Sequence, residues 1–167
     1  MKTKIFCDSA DIKTIKEFNN NSLVNGFTTN PSLMRKAGAK DYKNYSLKLL
    51  SVCKKKPISL EVFADKFDEM IRQANMINSW GKNVYVKIPV VNSKGLFSGA
   101  VINKLSNKGI KLNITAVYTV PQVRKILKNL NKKSKTIISI FAGRMSDVGK
   151  DPLPIIKESV RLTKKLK

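Results

Sequence analysis

The sequence contains no histidine and only two cysteines, Cys7 and Cys53, in 167 residues. Without histidine, Ser–His–Asp and Cys–His triads, histidine-ligated zinc and imidazole general bases are all excluded. Two cysteines are too few for a zinc cluster of their own or for a disulfide scaffold. Any chemistry of this chain must therefore come from Lys, Arg, Asp, Glu, Asn, Ser, Thr or Tyr side chains.

Acidic residues are also scarce, since 11 Asp and Glu stand against 33 Lys and Arg and give a net charge of +22. Such a charge favours anionic partners, including nucleic acids, membrane surfaces and phosphorylated metabolites. Nucleic-acid binders usually favour Arg and place aromatic residues among their basic ones. Here only five basic residues are Arg, and Lys is spread along the chain together with abundant Asn and Ile. Lys, Asn and Ile all have AT-rich codons, so this pattern favours a general bias in codon composition over a nucleic-acid role.

Long apolar runs are missing as well, because none approaches the ~20 residues that cross a bilayer. The first acidic residue, Asp8, comes too early for the core of a signal peptide. We therefore expect a soluble, reduced, cytoplasmic protein without a membrane partner. The hydrophobic content of 42% is enough for a core, and the length is typical of one domain, which we predict to span residues 1–167.

Short apolar runs alternate with amphipathic stretches along the chain. Strands are predicted at 5–7, 23–27, 58–63, 84–88, 110–117 and 137–141. Helices are predicted at 12–18, 42–56, 67–80, 96–105, 120–130 and 153–166, with another beginning at Pro31 behind Asn30 as its N-cap. Six strand–helix units with strands that are nearly all apolar indicate a parallel α/β sheet.

Two architectures fit this alternation: an open doubly wound sheet and a TIM-type (β/α)8 barrel. A dinucleotide fold would place a G-x-G-x-x-G turn after its first strand, where this chain has Asp8-Ser9-Ala10-Asp11. A barrel predicts polar residues at the carboxyl ends of its strands. Such residues are found at Asp8, Asn30, Glu61, Lys87, Asn113, Thr115, Ser139 and Arg144. We therefore predict a TIM-type barrel of which about six units are present.

Lys87 is the most informative of these residues, because it lies near the end of the apolar strand at 84–88. Burial of an ammonium favours the neutral amine, and a neutral amine that faces a carbonyl substrate forms a Schiff base. Glu61 and Asp8 would be candidate acid–base carboxylates. Taken singly, each residue has a structural explanation: Asn30 as a helix cap, Asp8 as a turn, Thr115 as a strand former. Their recurrence at the ends of successive strands favours a shared site.

Six segments also resemble, in order, the motifs of the transaldolase family, in particular its small subfamily related to fructose-6-phosphate aldolase. The segments are Phe6-Cys7-Asp8-Ser9-Ala10, Phe27-Thr28-Thr29-Asn30-Pro31-Ser32-Leu33, Ser59-Leu60-Glu61-Val62, Val86-Lys87-Ile88-Pro89, Asn113-Ile114-Thr115-Ala116-Val117 and Ser139-Ile140-Phe141-Ala142-Gly143-Arg144. One departure is Ile140, where the family often has Pro.

The resemblance implies a role for each matching residue. Lys87 would be the Schiff-base nucleophile, and Asp8 would take the proton of the substrate hydroxyl as the carbon–carbon bond breaks. Glu61 would shuttle protons through a water held with Thr115. Asn30 and Asn113 would bind the hydroxyls of a dihydroxyacetone unit, and Arg144, with Ser139 nearby, would receive the phosphate. The implied reaction moves dihydroxyacetone from a ketose phosphate, such as fructose 6-phosphate or sedoheptulose 7-phosphate, to an aldose phosphate in the pentose phosphate pathway. The resemblance implies that this reaction needs neither a cofactor nor a metal.

Two residues favour a transaldolase over an aldolase within this resemblance. Glu61 and Phe141 are the transaldolase-like choices, whereas the aldolase branch carries Gln and Tyr. The alternatives are a fructose-6-phosphate aldolase-type activity and, in another class, an inactive barrel fragment or a basic protein that binds anions or nucleic acid.

The resemblance also implies roughly two further strand–helix units beyond those of this sequence, some of which carry part of the phosphate site. We expect, in this order, a fragment of a longer product, a homo-oligomer whose copies close the open sheet edges, or a decayed relative.

Overall fold

The computed structural model describes residues 3–164, and strands and helices alternate along this part of the chain. The strands are β1 Ile5–Asp8, β2 Val24–Thr28, β3 Ile58–Glu61, β4 Val84–Pro89, β5 Leu112–Val117 and β6 Thr136–Ile140. The helices are α1 Ile12–Asn19, α2 Pro31–Lys36, α3 Tyr42–Val52, α4 Phe67–Asn78, α5 Gly99–Asn107, α6 Val120–Asn129, α7 Ala142–Asp147 and α8 Leu153–Lys164. No helix within residues 3–164 has the length and apolar character needed to cross a membrane.

The six strands belong to one sheet and follow one another in sequence order, β1-β2-β3-β4-β5-β6. All six run parallel, and the register places Asp8 of β1 beside Thr28 of β2 and Asn113 of β5 beside Ile137 of β6. Sequential parallel strands with a helix after each are the order of a (β/α)8 barrel. The predicted fold class, an incomplete TIM-type barrel of six units, is confirmed.

The chain divides into two compact units. The first contains the residues up to Phe63 together with Ala74–Val86. Its core includes fully buried Phe27, Leu49 and Leu60, and α1 packs against α3. Gly26 of β2 is required by close packing, since a Cβ at this position would collide with the Phe6 ring.

The second unit contains Ala64–Gln73 and the residues from Lys87 onwards. Helix α5 packs against α6, and α6 against α8. The buried side chains of Ile102, Leu112 and Ile126 contribute to this core. Helix α6 begins with a capping box, in which the Thr119 side chain accepts from the backbone of Gln122 and the Gln122 side chain accepts from the backbone of Thr119.

Several predicted boundaries are wrong by a few residues, and one short helix was not predicted. Helix α5 begins at Gly99 and not at residue 96, because the side-chain oxygen of Asn92 accepts from the backbone N–H groups of Lys94 and Leu96 and holds a turn there. Gly95 within that turn has φ of 75°. Helix α7 has only six residues, too few for a periodic pattern. The predicted residues 165 and 166 of the last helix lie outside the described residues.

Candidate active site

In the first unit, Asp8 is the last residue of β1, and its carboxylate accepts a hydrogen bond from the Thr28 hydroxyl at 2.7 Å. The parallel register of β1 and β2 places these two residues side by side. Thr28 was not among the predicted site residues. Thr28 could have been found from its position directly before Thr29 and Asn30, in a segment that carries a predicted site residue.

Asn30 follows β2 and is the N-cap of α2, as predicted. Its side-chain oxygen accepts from the Leu33 backbone N–H at 2.8 Å, and Pro31 occupies the first helical position. Capping fixes the orientation of the Asn30 amide and leaves its NH2 group for a further contact. Binding of a substrate hydroxyl by Asn30 stays a prediction.

Glu61 is the last residue of β3 and is half-buried. Its backbone carbonyl accepts from the Tyr42 hydroxyl at 2.8 Å, and the Tyr42 ring lies edge-on to Phe63 at 5.4 Å. Burial raises the pKa of Tyr42 above its ordinary value, and the Glu61 charge acts in the same direction. Tyr42 is therefore a neutral donor that holds the end of β3. The sequence pattern showed Tyr42 only as a residue of a helix, and helical periodicity does not predict its hydrogen bond to β3.

In the second unit, Lys87 lies on β4 between the fully buried residues Val86 and Ile88, and only 8% of Lys87 is exposed. Lysine is almost never this buried unless its charge is paired or its amine has a function. The predicted placement of this amine on an apolar strand is therefore confirmed, whereas its nucleophilic role stays a prediction.

Asn113 and Ser139 lie on the neighbouring strands β5 and β6, and the Ser139 hydroxyl donates to the Asn113 side-chain oxygen at 2.7 Å. Asn113 is almost fully buried. Asn113 was predicted at the carboxyl end of its strand, but it is the second residue of β5. The hydrogen-bonded pairing of β5 with β6 begins only where the Leu112 N–H donates to the Lys135 carbonyl. Ser139 thus orients the Asn113 amide.

Thr115 is almost fully buried, and its hydroxyl has no hydrogen-bond partner within the described residues. The register of β5 against β6 shifts between Ile114 and Val117, and Ala116 within this bulge has φ of 58°. Left-handed backbone at a residue with a Cβ is strained, and such strain concentrates at functional sites. A buried, unpaired hydroxyl on a strained bulge is suited to hold a water or a substrate oxygen.

Phe141 and Arg144 follow β6 and do not lie on it. Phe141, which was predicted as a strand residue, precedes α7, and its ring lies edge-on to Tyr118 at 5.6 Å. Arg144 was predicted at a strand end but lies on α7, where its side chain is 75% exposed and 3.5 Å from the Asp147 carboxylate. Position 144 falls in the helix because α7 begins as soon as β6 ends.

The site residues thus fall into two sets, one in each compact unit. The first unit carries Asp8, Asn30 and Glu61, and the second carries Lys87, Asn113, Thr115, Ser139, Phe141 and Arg144. Within residues 3–164, no group of three or more Cys, Asp or Glu is arranged to hold a metal ion.

Comparison with known proteins gives a family match across almost the whole chain. Residues 5–167 match the family model described as Transaldolase/Fructose-6-phosphate aldolase. The chain belongs to the transaldolase/fructose-6-phosphate aldolase family. The resemblance of the six motifs is therefore confirmed, and with it the enzyme class, a transaldolase-type enzyme.

Individual members of the transaldolase/fructose-6-phosphate aldolase family show the same extent of similarity. The chain is 33% identical over 161 residues to a protein of Herpetosiphon aurantiacus named "Probable transaldolase", covering 96% of this chain and 68% of that protein. Proteins of the same name from Streptococcus agalactiae serotype V and Methanococcus vannielii are each 36% identical. They are matched over 93% and 95% of this chain and over 67% and 69% of their own lengths.

Proposed function

We propose that this protein transfers a dihydroxyacetone unit from a ketose phosphate to an aldose phosphate through a Schiff base on Lys87, as a step of the pentose phosphate pathway. The observation that carries the proposal is the burial of Lys87 on β4, because lysine is rarely buried on an apolar strand without a function for its amine or a partner for its charge, and a lysine amine forms an imine with a carbonyl substrate.

The chemistry needs only side chains that this chain provides. The Lys87 amine attacks the C2 carbonyl of the ketose, and loss of water gives an imine. Asp8 takes the proton of the C4 hydroxyl while the C3–C4 bond breaks and the aldose phosphate leaves. The bond electrons remain on the imine as an enamine, which attacks the aldehyde of the acceptor while Asp8 returns its proton to the new C4 hydroxyl and the imine forms again. Addition of water then releases the new ketose and the free amine.

Proton transfer during imine formation and hydrolysis is assigned to Glu61, with a water held by Thr115. The Thr115 hydroxyl supports this assignment, because it is buried and has no partner in the part of the chain that the structure describes, and such a hydroxyl is suited to hold a water molecule. Asn30 and Asn113 are assigned to the hydroxyls of the dihydroxyacetone unit. Arg144 is assigned to the phosphate, to which a guanidinium binds well.

Borohydride trapping tests the proposal. Incubation with fructose 6-phosphate and borohydride should add a reduced sugar fragment to Lys87, which peptide mass spectrometry locates. Lys87→Met, which fills a similar volume, should abolish the adduct, whereas Lys104→Met, at an exposed position of α5, should retain it. No adduct, or adducts on exposed lysines alone, would refute the Schiff-base proposal.

Product analysis then separates transfer from simple aldol cleavage. With fructose 6-phosphate and erythrose 4-phosphate, a transferase forms sedoheptulose 7-phosphate faster than it releases free dihydroxyacetone. Phe141 has no hydroxyl that could activate water, which favours transfer. Faster release of dihydroxyacetone would assign the chain to aldol cleavage.

A further inference from the structure

The loops that lead into β5 and β6 form an open cavity of about 300 Å³ within the second unit. Three lysines line it, Lys111, Lys133 and Lys135, together with Asn131 and Ser134. None of the described residues that line this cavity is acidic. We call it the lysine cavity. It lies at the amino ends of its two strands, whereas the site residues Thr115 and Ser139 lie further along them.

Hydrogen bonds fix the walls of the lysine cavity. The Asn131 backbone N–H donates to the Ser106 hydroxyl at 3.0 Å, and the Asn131 amide donates to the Asn107 side-chain oxygen at 3.0 Å. The Ser134 hydroxyl donates to the Ile110 carbonyl at 3.2 Å. Since both loops are tied to each other, the lysine backbones are held in place without a ligand, which lowers the entropic cost of binding.

The charge around the lysine cavity is not balanced by nearby acids in the sequence. No Asp or Glu occurs between Glu69 and Asp147, while basic residues recur throughout that stretch. Lys133 and Lys135 carry like charges two residues apart that repel each other, and an anion bound between them relieves the repulsion. Two of the three, Lys133 and Lys135, are exposed and thus accessible to a ligand.

We propose that the lysine cavity binds a small phosphorylated anion, separately from the candidate active site. Its volume is at the lower end of the range for small-molecule sites, about 300 to 1,000 Å³. A compact diphosphate or sugar phosphate fits that size, and ammonium groups are established phosphate ligands. A concave pocket lined by three lysines favours a small anion over the continuous surface that tracks a nucleic-acid backbone.

Titration with inorganic pyrophosphate tests this proposal, because pyrophosphate has no carbonyl for Lys87. Binding is measured by calorimetry and by amide NMR shifts, at about 0.1 M salt, where screening acts beyond about 10 Å. The shifts should concentrate at Lys111, Ser134 and their neighbours. Lys133→Gln combined with Lys135→Gln should weaken binding at least about tenfold. The matched control, Lys54→Gln with Lys55→Gln, removes the same charge from exposed positions and should change binding by less than about twofold.

Three results would overturn the proposal. Equal weakening by both double variants would mean that the net charge alone attracts pyrophosphate. Shifts confined to residues around Lys87 would place the anion in the candidate active site. A labelled DNA duplex that binds at the same salt and is lost in the Lys133→Gln, Lys135→Gln variant, with no pyrophosphate binding, would assign the cavity to a nucleic-acid surface.

Discussion

The hydroxyl of Thr115 is buried without a protein partner among residues 3–164, so its loss should affect catalysis more than stability. Thr115→Val replaces the hydroxyl by a methyl group and removes an unsatisfied polar atom. We expect the free energy of unfolding to change by less than about 1 kcal/mol, because no hydrogen bond to the protein is lost, and we expect imine formation to slow. Urea unfolding measures the first effect, and the rate of borohydride-trapped adduct measures the second.

The matched control for Thr115→Val is Thr29→Val. Thr29 is equally buried, but its hydroxyl donates to the Ser59 carbonyl at 3.0 Å. The loss of that bond should lower the free energy of unfolding by about 1 kcal/mol. If Thr115→Val slows imine formation no more than Thr29→Val does, the assignment of Thr115 to a catalytic water fails.

Cys53 makes the stability sensitive to alkaline pH. The thiol is fully buried, donates to the Lys56 carbonyl at 3.3 Å, and burial raises the pKa of Cys53 from 9.0 to about 11. Between those values the unfolded chain loses the proton and the folded chain keeps it. The contribution of Cys53 is therefore fully present below about pH 9 and is lost as the pH rises to about 11.

Urea unfolding in this pH window checks the prediction for Cys53. Cys53→Ala should reduce the decline in the free energy of unfolding by about 2 kcal/mol. Cys7→Ala, at a half-buried cysteine, should reduce it by less. Identical pH dependence of wild type and Cys53→Ala would show that the thiol does not contribute.

At single positions, the sequence predicted the features that depend on residues nearby in the chain. The cap at Asn30 and the burial of Lys87 follow from neighbouring residues, and both were found. The partners of Asp8 and Asn113 depend on strand register, which joins residues far apart in sequence. Such cross-strand contacts carry no local sequence signal.

Among the elements, the end of α1 depends on a residue from a distant loop. The Lys56 ammonium donates to the Phe18 carbonyl at 3.1 Å and to the Asn21 carbonyl at 2.7 Å. The run 54–56 was predicted to form the last turn of α3, but α3 ends at Val52, and Lys56 instead binds the carboxyl end of α1. A cation there complements the unpaired carbonyls and the helix dipole.

Replacement of Lys56 by Met should therefore lower the free energy of unfolding by about 1 to 2 kcal/mol, because the stem is kept while two charge-assisted bonds are lost. Lys55→Met, at an exposed neighbour, is the control and should change it by less than about 0.5 kcal/mol. Both are measured by urea unfolding. Equal effects of the two variants would show that the contacts of Lys56 do not stabilise α1.

Element order was predictable because apolar runs and turn residues alternate clearly along the chain. The boundaries of the helices and strands were less predictable than their order. The apolar pair Leu96-Phe97 matches helical periodicity, yet Phe97 forms an antiparallel bridge with Val91 instead. That bridge depends on a turn closed by the Asn92 side chain and on a left-handed Gly95, and periodicity does not encode either.

For the whole molecule, the net charge of +22 predicts that added salt stabilises the fold. Like charges repel one another more in the compact chain than in the extended one. Salt shortens the screening length from about 30 Å at 0.01 M to about 8 Å at 0.15 M. The midpoint of thermal unfolding should therefore rise by about 2 to 4 °C for each 1 kcal/mol of repulsion removed. Scanning calorimetry at increasing concentrations of sodium chloride measures this midpoint.

The Lys133→Gln, Lys135→Gln variant should keep most of the increase in the midpoint, because screening acts on the whole surface. A midpoint that falls with salt would mean that attractive ion pairs, such as Arg124–Glu158 at 2.9 Å, outweigh the general repulsion.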